Sequence, residues 1–280
     1  MRSTLAAAVT LVALMFAGTA LAENVLIYDD NLVQGASDME EACLLNSNGH
    51  SCTRVTSEPE LASGLDSGTH DIVMIDLQLS WFASPAAETA MLDFVGAGGF
   101  AVLHLIELEN HGTTAEALGT VVMNTHPSPQ DVYGGGAMFN NAAAGGHSVP
   151  NPLVGGANQG GVDQELESSA TDPSAAAHFH YDNVIQGPPA VVTSHAETVI
   201  VLGFSPDETG QTDNDSPPDG IRDIREFLSN CIDYTLACSE EDADNDGYSP
   251  CEGDCDDDDE DVGPDALEVP GDGVDSNCDG

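Results

Sequence analysis

The residues whose types and spacing most clearly suggest chemistry lie near the end of the chain. Asp242, Asp244 and Asp246 occupy alternate positions and are followed by Gly247. In a calcium-binding loop, acids at this spacing bind the ion, and the glycine permits the turn that brings the next backbone carbonyl to it. The spacing recurs just before Gly280. The candidate metal ligands are Asp242, Asp244, Asp246, Tyr248, Asp254, Asp256, Asp257, Asp272, Asp275, Asn277 and Asp279.

The donor atoms of this tail predict which ion it binds. The dense ligands are hard oxygens, and no histidine follows residue 241. Ca²⁺ is therefore the expected cofactor; Zn²⁺ and Cu²⁺ are less favoured, and Mg²⁺ competes poorly for a flexible site of many oxygens. The loop is not an EF-hand, because its twelfth position is Gly253 and Asp254 comes one residue later.

Charge repulsion governs the tail without metal. Eighteen acidic residues and no basic residue follow Cys238. With so little apolar surface, the metal-free segment is expected to be disordered, and calcium binding and folding are expected to be one event.

The composition of the whole chain limits its partners. Four arginines, no lysine and 49 acidic residues give a net charge of −45. Nucleic acids and anionic membranes are held mainly by Lys and Arg, so neither is an expected partner. Divalent cations are the expected partners, with an extracellular protein or polysaccharide as a further candidate.

The first 22 residues predict where in or outside the cell the protein is located. A basic start at Arg2, a short apolar run and an Ala20-Leu21-Ala22 site are typical of a secretory signal peptide cleaved after Ala22. The run is shorter than the ~20 residues of a membrane span, and no later segment is long and apolar enough to cross a bilayer. The protein is predicted to be secreted, either extracellular or periplasmic.

Seven cysteines are compatible with an oxidising compartment. Proximity in sequence suggests the pairs Cys43 with Cys52, Cys231 with Cys238, and Cys255 with Cys278. Cys238 with Cys251 is a competing pair, because connectivity does not follow from one sequence. The odd cysteine predicts an intermolecular bond or sequence beyond Gly280.

The segment between the leader and the tail alternates apolar strands with helices. Strands are predicted at Asn24–Asp29, Cys52–Ser57, Asp71–Asp76, Phe100–Ile106, Ala190–Thr193 and Thr198–Gly203. Helices are predicted after Ser37, after Ser84-Pro85, near Ala115 and from Ile221 to Leu236, with no periodicity between Gly134 and Gly161. Continuous apolar strands separated by helices favour a three-layer α/β fold, flavodoxin-like, with a mostly parallel sheet.

Two family resemblances are carried by these residues. The segment Asn24–Leu236 resembles the class I glutamine amidotransferase-like superfamily, particularly its ThuA-like branch, through the strand Asn24–Asp29, the segment Gly98–His104 and the ending Val199–Pro206. This resemblance implies a nucleophilic cysteine on the turn after Phe100–Leu105, yet neither that cysteine nor its flanking glycines are present. Residues Asp242 to Gly280 resemble the acidic metal-binding motif of the MopE type, similar to thrombospondin type 3 repeats, which implies calcium binding.

Other groups of the α/β domain are weaker candidates. His178 and His180 would share a strand face and could bind a transition metal with His104, His111, His126, His147 or His195. A packed or hydrogen-bonded core position is favoured for His104. The strand-end acids could line a cleft, although helix capping at a wet edge explains them as well; they are Asp29, Asp30, Asp76, Glu107 and Glu109. The loop Asp207–Asp219, with Asp213, Asp215 and Asp219-Gly220, could hold a further cation or be a plain acidic loop.

The expected organisation is a signal peptide (1–22), an amidotransferase-like α/β domain (23–237), a linker (238–241) and an acidic metal-binding motif (242–280). The favoured function is a secreted calcium-binding protein of the cell exterior with a noncatalytic, binding or structural role. The alternative is an extracellular hydrolase acting on carbohydrate through strand-end carboxylates or a histidine-bound metal.

Overall fold

The structure is a computed structural model that describes residues 23–30, 37–46, 49–127, 130–134, 138–140, 146–155, 162–181, 188–206, 208–215 and 217–237, with Val262 and Ser276. The helices are α1 (Asp38–Leu45), α2 (Glu58–Asp66), α3 (Pro85–Gly96), α4 (Gly112–Ala117) and α5 (Asp223–Ala237). The strands are β1 (Asn24–Asp29), β2 (Ser51–Val55), β3 (Ile72–Leu77), β4 (Phe100–Leu105), β5 (Thr120–Pro127), β6 (Val162–Ser168), β7 (Ala176–His180), β8 (Pro189–Ser194) and β9 (Val199–Leu202).

A seven-stranded sheet forms the middle layer, in the order β2-β1-β3-β4-β9-β8-β7. The first five of these strands are parallel, whereas β8 pairs antiparallel with both β9 and β7. The parallel part has the strand order of flavodoxin-like sheets. The predicted three-layer α/β fold with a mostly parallel sheet is confirmed.

Two apolar layers cover the sheet because its strands are buried on both faces. One layer packs α1 and α5 on residues such as Ile27, Met74 and Ile200. The other packs α2, α3 and α4 on residues such as Leu26 and Leu103. No helix among the described residues is long and apolar enough to cross a membrane.

Local capping signals set where the predicted helices begin. Ser37 accepts a hydrogen bond from the Glu40 amide at the start of α1, and Ser84 accepts one from the Ala86 amide at the start of α3. Pro85 occupies the first turn of α3, where its missing N–H is not needed. In α1, the Glu40 carboxylate contacts Arg54 at 3.4 Å.

Helix α2 is absent from the sequence prediction although a capping signal precedes it. Ser57 and Glu60 have the spacing of a capping box, and the Glu60 carboxylate accepts hydrogen bonds from the Thr56 amide and the Ser57 hydroxyl. Pro59 lies in the first turn, where proline is tolerated. The sequence therefore contains a local signal for the start of α2.

A second sheet appears where the sequence shows little periodicity. Strands β5 and β6 pair antiparallel, and Leu166 of β6 is buried in the apolar layer beside α4. The Gln164 amide of β6 donates to the Gly203 carbonyl, and its side-chain amide donates to the Leu105 carbonyl. These two hydrogen bonds attach the β5–β6 sheet to the carboxyl ends of β9 and β4.

The cysteines confirm one predicted pair and correct another. Cys43 and Cys52 form a disulfide that joins α1 to β2. The prediction that Cys231 pairs with Cys238 is wrong, because the Cys231 thiol is free and fully buried. Cys231 lies on the face of α5 that packs on the sheet, so its side chain serves the apolar core. The remaining cysteines, Cys238, Cys251, Cys255 and Cys278, lie outside the described residues.

Candidate functional site

The predicted tail ligands, from Asp242 to Asp279, all lie outside the residues that the structure describes, as do the predicted signal peptide and linker. Within that tail only Val262 and Ser276 are described, and both are buried. The site geometry below therefore concerns the α/β domain.

The carboxyl ends of β1, β3 and β4 bring three polar side chains side by side. Asp29 is the register partner of Asp76, and Asp76 is the register partner of His104. All three residues are at most 3% exposed. Asp76 Oδ1 lies 2.6 Å from His104 Nδ1, and the Gln78 side-chain amide donates to Asp76 Oδ2 at 2.5 Å. The hydrogen-bonded core position predicted for His104 is confirmed.

The carboxylate of the neighbouring Asp30 is hydrogen-bonded to backbone amides. It accepts hydrogen bonds from the amides of Gln78, Leu79 and Ser80, at 2.7 to 3.3 Å. Burial raises the pKa of Asp30, while these hydrogen bonds oppose that rise. Asp30 therefore shapes the loop after β3.

The turn after β4 separates the remaining strand-end acids from the buried group. Glu107 has a left-handed backbone, with φ 61° and ψ 16°, and both Glu107 and Glu109 are exposed. A shallow depression next to this turn is lined by Asn110, His111, Gly112, Thr113 and Glu116. The cleft considered for these acids is therefore not formed by the described residues, because Asp29 and Asp76 are buried and the two glutamates face solvent.

The histidines do not assemble into a metal centre within the described part of the chain. Phe179 has φ 52°, which interrupts the regular strand alternation between His178 and His180. His178 Nε2 lies 2.8 Å from the Thr193 hydroxyl, and burial lowers the pKa of His178. Neither histidine belongs to a group of three possible ligands. Other histidines have different neighbours: His111 stacks on Trp81, His147 contacts Glu226 and His195 contacts Asp172.

The acidic loop before α5 does bring its carboxylates together. Asp213, Asp215 and Asp219 each place an oxygen within 4.8 Å of the others, and they form the one group of three possible metal ligands found in the described ranges. The Gly220 amide donates to Asp213 Oδ2 at 2.6 Å, and the Asp215 amide donates to Asp213 Oδ1 at 3.3 Å. The further cation site considered for this loop is therefore sterically feasible.

The loop is attached to α5 and α5 is attached to α1. Asp223, at the start of α5, accepts hydrogen bonds from both the backbone amide and the side chain of Asn214. Asp38 of α1, 3% exposed, contacts Arg222 at 3.2 Å and Arg225 at 2.6 Å. Sequence reasoning missed the roles of Asp38 and Asp223, because the Asp38 contacts span 184 and 187 residues.

Comparison with known proteins adds two findings. Residues 254–280 match the family described as "Putative metal-binding motif", of the copper-binding MopE type.

The fold is similar to a glutamine amidotransferase of Thermotoga maritima, with 11% identity over 76% of this chain and 98% of that one, at a TM-score of 0.47. The glutaminase domain of the Trypanosoma brucei CTPS, solved with bound acivicin, is similar at 8% identity, with 76% of this chain and 94% of that one covered and a TM-score of 0.43. These similarities concern the fold and assign no activity. No curated protein matches the chain.

The chain thus contains a match to a metal-binding motif at residues 254–280, in addition to the mostly parallel α/β domain described above. Among the described residues of that domain, Asp213, Asp215 and Asp219 place carboxylate oxygens within 4.8 Å of one another. The turn after β4 carries Glu107 in a left-handed backbone conformation, and no cysteine lies in this turn.

Proposed function

We propose that this chain is a secreted calcium-binding protein of the cell exterior, in which a noncatalytic α/β domain is joined to an acidic metal-binding tail. The observation that carries the proposal is the match of residues 254–280 to a metal-binding motif. The acids of that segment, among them Asp254, Asp256 and Asp257, offer hard oxygen donors, which support calcium over copper.

The noncatalytic role is supported by the chemistry of the sheet edge. A nucleophile for acyl transfer needs an accessible side chain with an adjacent base and oxyanion donors. The turn after β4 carries Glu107, and the nearby imidazole of His104 is buried against Asp76. The hydrolase alternative required His178 and His180 to meet a third ligand, or Asp29 to meet a carboxylate in a pocket, and the described residues supply no such arrangement on which to build a mechanism.

The charge of the chain suits a role outside the cell. A net charge of −45 keeps the surface strongly solvated and draws divalent cations. Calcium bound at the tail would remove repulsion between its acids and order the backbone around the ion. A calcium-ordered tail of this kind suits an adhesion, scaffold or matrix component whose partner is an extracellular protein or polysaccharide.

Calcium binding by the tail is tested on the full chain. After removal of metal, calorimetric titration is expected to give heat with Ca²⁺, and replacement of both Asp254 and Asp256 with asparagine is expected to lower the number of bound ions, because two charged ligands are lost. Replacement of the exposed Asp66 with asparagine is the matched control and is expected to leave the titration unchanged. Absence of heat at millimolar Ca²⁺, or heat with Cu²⁺ alone, would contradict the proposal.

Secretion is tested by expressing the chain with its leader in a secreting host. Mass spectrometry of the exported protein is expected to show that it begins at Glu23, because cleavage follows Ala22. A Leu14→Arg variant, which places a charge in the apolar run, is expected to stay inside the cell. Retention of the parent chain with Met1 intact would overturn the assignment to the exterior.

A further inference from the structure

Two short segments of the chain pack against the apolar face of α5. They are residues 138–140 and 146–149, here called the covering segments, and an isolated antiparallel bridge joins them. The Val149 amide donates to the Phe139 carbonyl at 2.7 Å. The ring of Phe139 lies 5.4 Å from that of Phe227 on α5, and both side chains belong to the same apolar layer. Apolar packing therefore places the covering segments on the helix.

Asn230 of α5 holds both covering segments through neutral hydrogen bonds. Its Oδ1 accepts from the His147 amide at 2.8 Å, and its side-chain amide donates to the carbonyls of Met138 and His147 at 3.1 and 3.0 Å. Asn230 is fully buried. The amide side chain of asparagine does not titrate, so these three bonds do not change with pH.

A second polar contact between the covering segments and α5 can titrate. Glu226 lies one turn before Asn230, and its Oε1 is 3.2 Å from His147 Nδ1. The Glu226 side chain is 3% exposed, and its Oε2 is buried without a hydrogen-bond partner among the described residues. Because burying a charged carboxylate is costly, a cation against its other oxygen stabilises it. The imidazolium form of His147 supplies that cation, and the neutral imidazole does not.

The charged groups that face His147 within the described part of the chain are acidic. On α5 they are Glu226 and Asp233, and in the loop before α5 they are Asp215 and Asp219. The hydrogen bond to Glu226 raises the pKa of His147, burial opposes that rise, and the negative charges add to it. Burial raises the pKa of Glu226, and the hydrogen bond to His147 opposes that rise. The surroundings therefore favour a proton on this pair.

Both shifts act on stability in the same direction. A pKa that is raised in the packed state means that the proton is bound more tightly there than in the open state. The stabilisation is fully present below the ordinary pKa and is lost as the pH rises through the raised value. For His147 this loss begins above its ordinary pKa of 6.5, and for Glu226 above 4.5. The packed state of the covering segments is thus favoured at weakly acidic pH.

We propose that the contact between His147 and Glu226 is a pH-sensitive device, in which a proton on the imidazole holds the covering segments on α5 and its loss above neutral pH lets them open while the sheet stays folded. Opening exposes the apolar face of α5 around Phe227. It releases one proton, so the equilibrium constant for opening rises by up to about tenfold per pH unit in this window. The device does not depend on calcium binding by the tail.

NMR of the full chain with isotope-labelled histidine measures the protonation of His147 directly. Its signals are assigned by their absence from a His147→Asn variant, in which the amide keeps a hydrogen-bonding group near the position of Nδ1. We expect His147 to titrate above its ordinary pKa of 6.5 in the parent chain. The titration is expected to move to lower pH in Glu226→Gln, which keeps the size of the side chain and removes its charge.

Hydrogen exchange followed by mass spectrometry measures the opening. At fixed calcium concentration, with exchange corrected for its intrinsic pH dependence, the protection of peptides covering residues 138–149 is expected to fall from about pH 6 to about pH 9 in the parent chain. His147→Asn and Glu226→Gln are expected to lose this pH dependence. Asn230→Ala, which removes only neutral bonds, is expected to lower protection at every pH and to keep the dependence. His195→Asn, altered at a histidine that contacts Asp172 elsewhere, is the control and is expected to behave as the parent chain.

Peptides of α3, residues 85–96, show whether the opening is local. They are expected to keep their protection over the same pH range, because α3 packs on the other face of the sheet. Loss of protection in α3 together with the covering segments would mean unfolding of the whole domain and would overturn the proposal. Titration of His147 at or below 6.5 in the parent chain would also overturn it. So would a pH dependence of residues 138–149 that survives in both His147→Asn and Glu226→Gln.

Discussion

Replacing Phe227 with alanine is expected to lower the free energy of unfolding by about 3–5 kcal/mol, since a buried aromatic is lost and a cavity remains. Phe227 lies on α5 and is fully buried. Its ring centroid is 5.4 Å from that of Phe139 and 6.0 Å from those of Phe179 and Phe204. These neighbours come from three other segments, so they cannot all move to fill the space.

Urea unfolding of the full chain measures this loss, with the calcium concentration held fixed because a bound ion shifts apparent stability. Phe94→Ala is the matched control, since Phe94 lies on α3 and is only partly buried. It is expected to cost clearly less than Phe227→Ala. Equal losses for the two variants would show that α5 does not carry the packing described above.

Replacing Asp38 with alanine is expected to destabilise the protein by about 1–3 kcal/mol, because the charge-assisted hydrogen bonds to its buried carboxylate are lost. The loss is smaller than for a fully buried ion pair, because Arg222 and Arg225 reach solvent and Arg225 keeps Glu41 as a partner. Asp38 is 3% exposed and contacts both Arg222 and Arg225. It also accepts a hydrogen bond from Gln211 at 2.7 Å. Loss of an acid from the first turn of α1 adds a smaller unfavourable term.

Glu41 provides a matched comparison for Asp38. It also pairs with Arg225, but its side chain is 36% exposed. Glu41→Ala is expected to cost at most about 1 kcal/mol, as exposed pairs do. A double-mutant cycle of Asp38→Ala with Arg225→Ala, read from urea unfolding, is expected to give a coupling of about 0.5–3 kcal/mol. Additive losses in that cycle would contradict a direct interaction.

Both variants remove contacts that α5 makes with the rest of the domain. Asp38 contacts Arg222, just before the helix, and Arg225, in its first turn. Phe227 lies on the apolar face of the helix and packs against Phe204.

Much of the α/β framework could be predicted because its signals are local. Ser84 and Pro85 mark the start of α3 within the sequence, and the structure begins the helix at Pro85. The apolar runs of β1, β3 and β4 are buried on both faces, which produces continuous hydrophobic stretches. Ser57 and Glu60 show that the same rules would also have predicted α2.

Strand β6 could not be predicted in this way. Its sequence, from Val162 to Ser168, contains three acids and one glutamine, yet Asp163 and Gln164 are almost fully buried. Their burial is tolerated because backbone partners arrive from distant segments: Asp163 accepts from the Gln130 amide, and Gln164 bonds to Leu105 and Gly203. A polar strand of this kind gives no hydrophobic period to detect.

For the function, the sequence by itself determined the chemistry of the acidic segments, because oxygen ligands at fixed spacing and glycine turns are properties of neighbouring residues. Only the tertiary structure decided which acids are available. It buried Asp29 and Asp76 beside His104, it left Glu107 exposed, and it brought carboxylate oxygens of Asp213, Asp215 and Asp219 within 4.8 Å of one another. The physical reason is that burial and pairing depend on contacts between residues far apart in sequence, such as that of Asp38 with Arg225, 187 positions away.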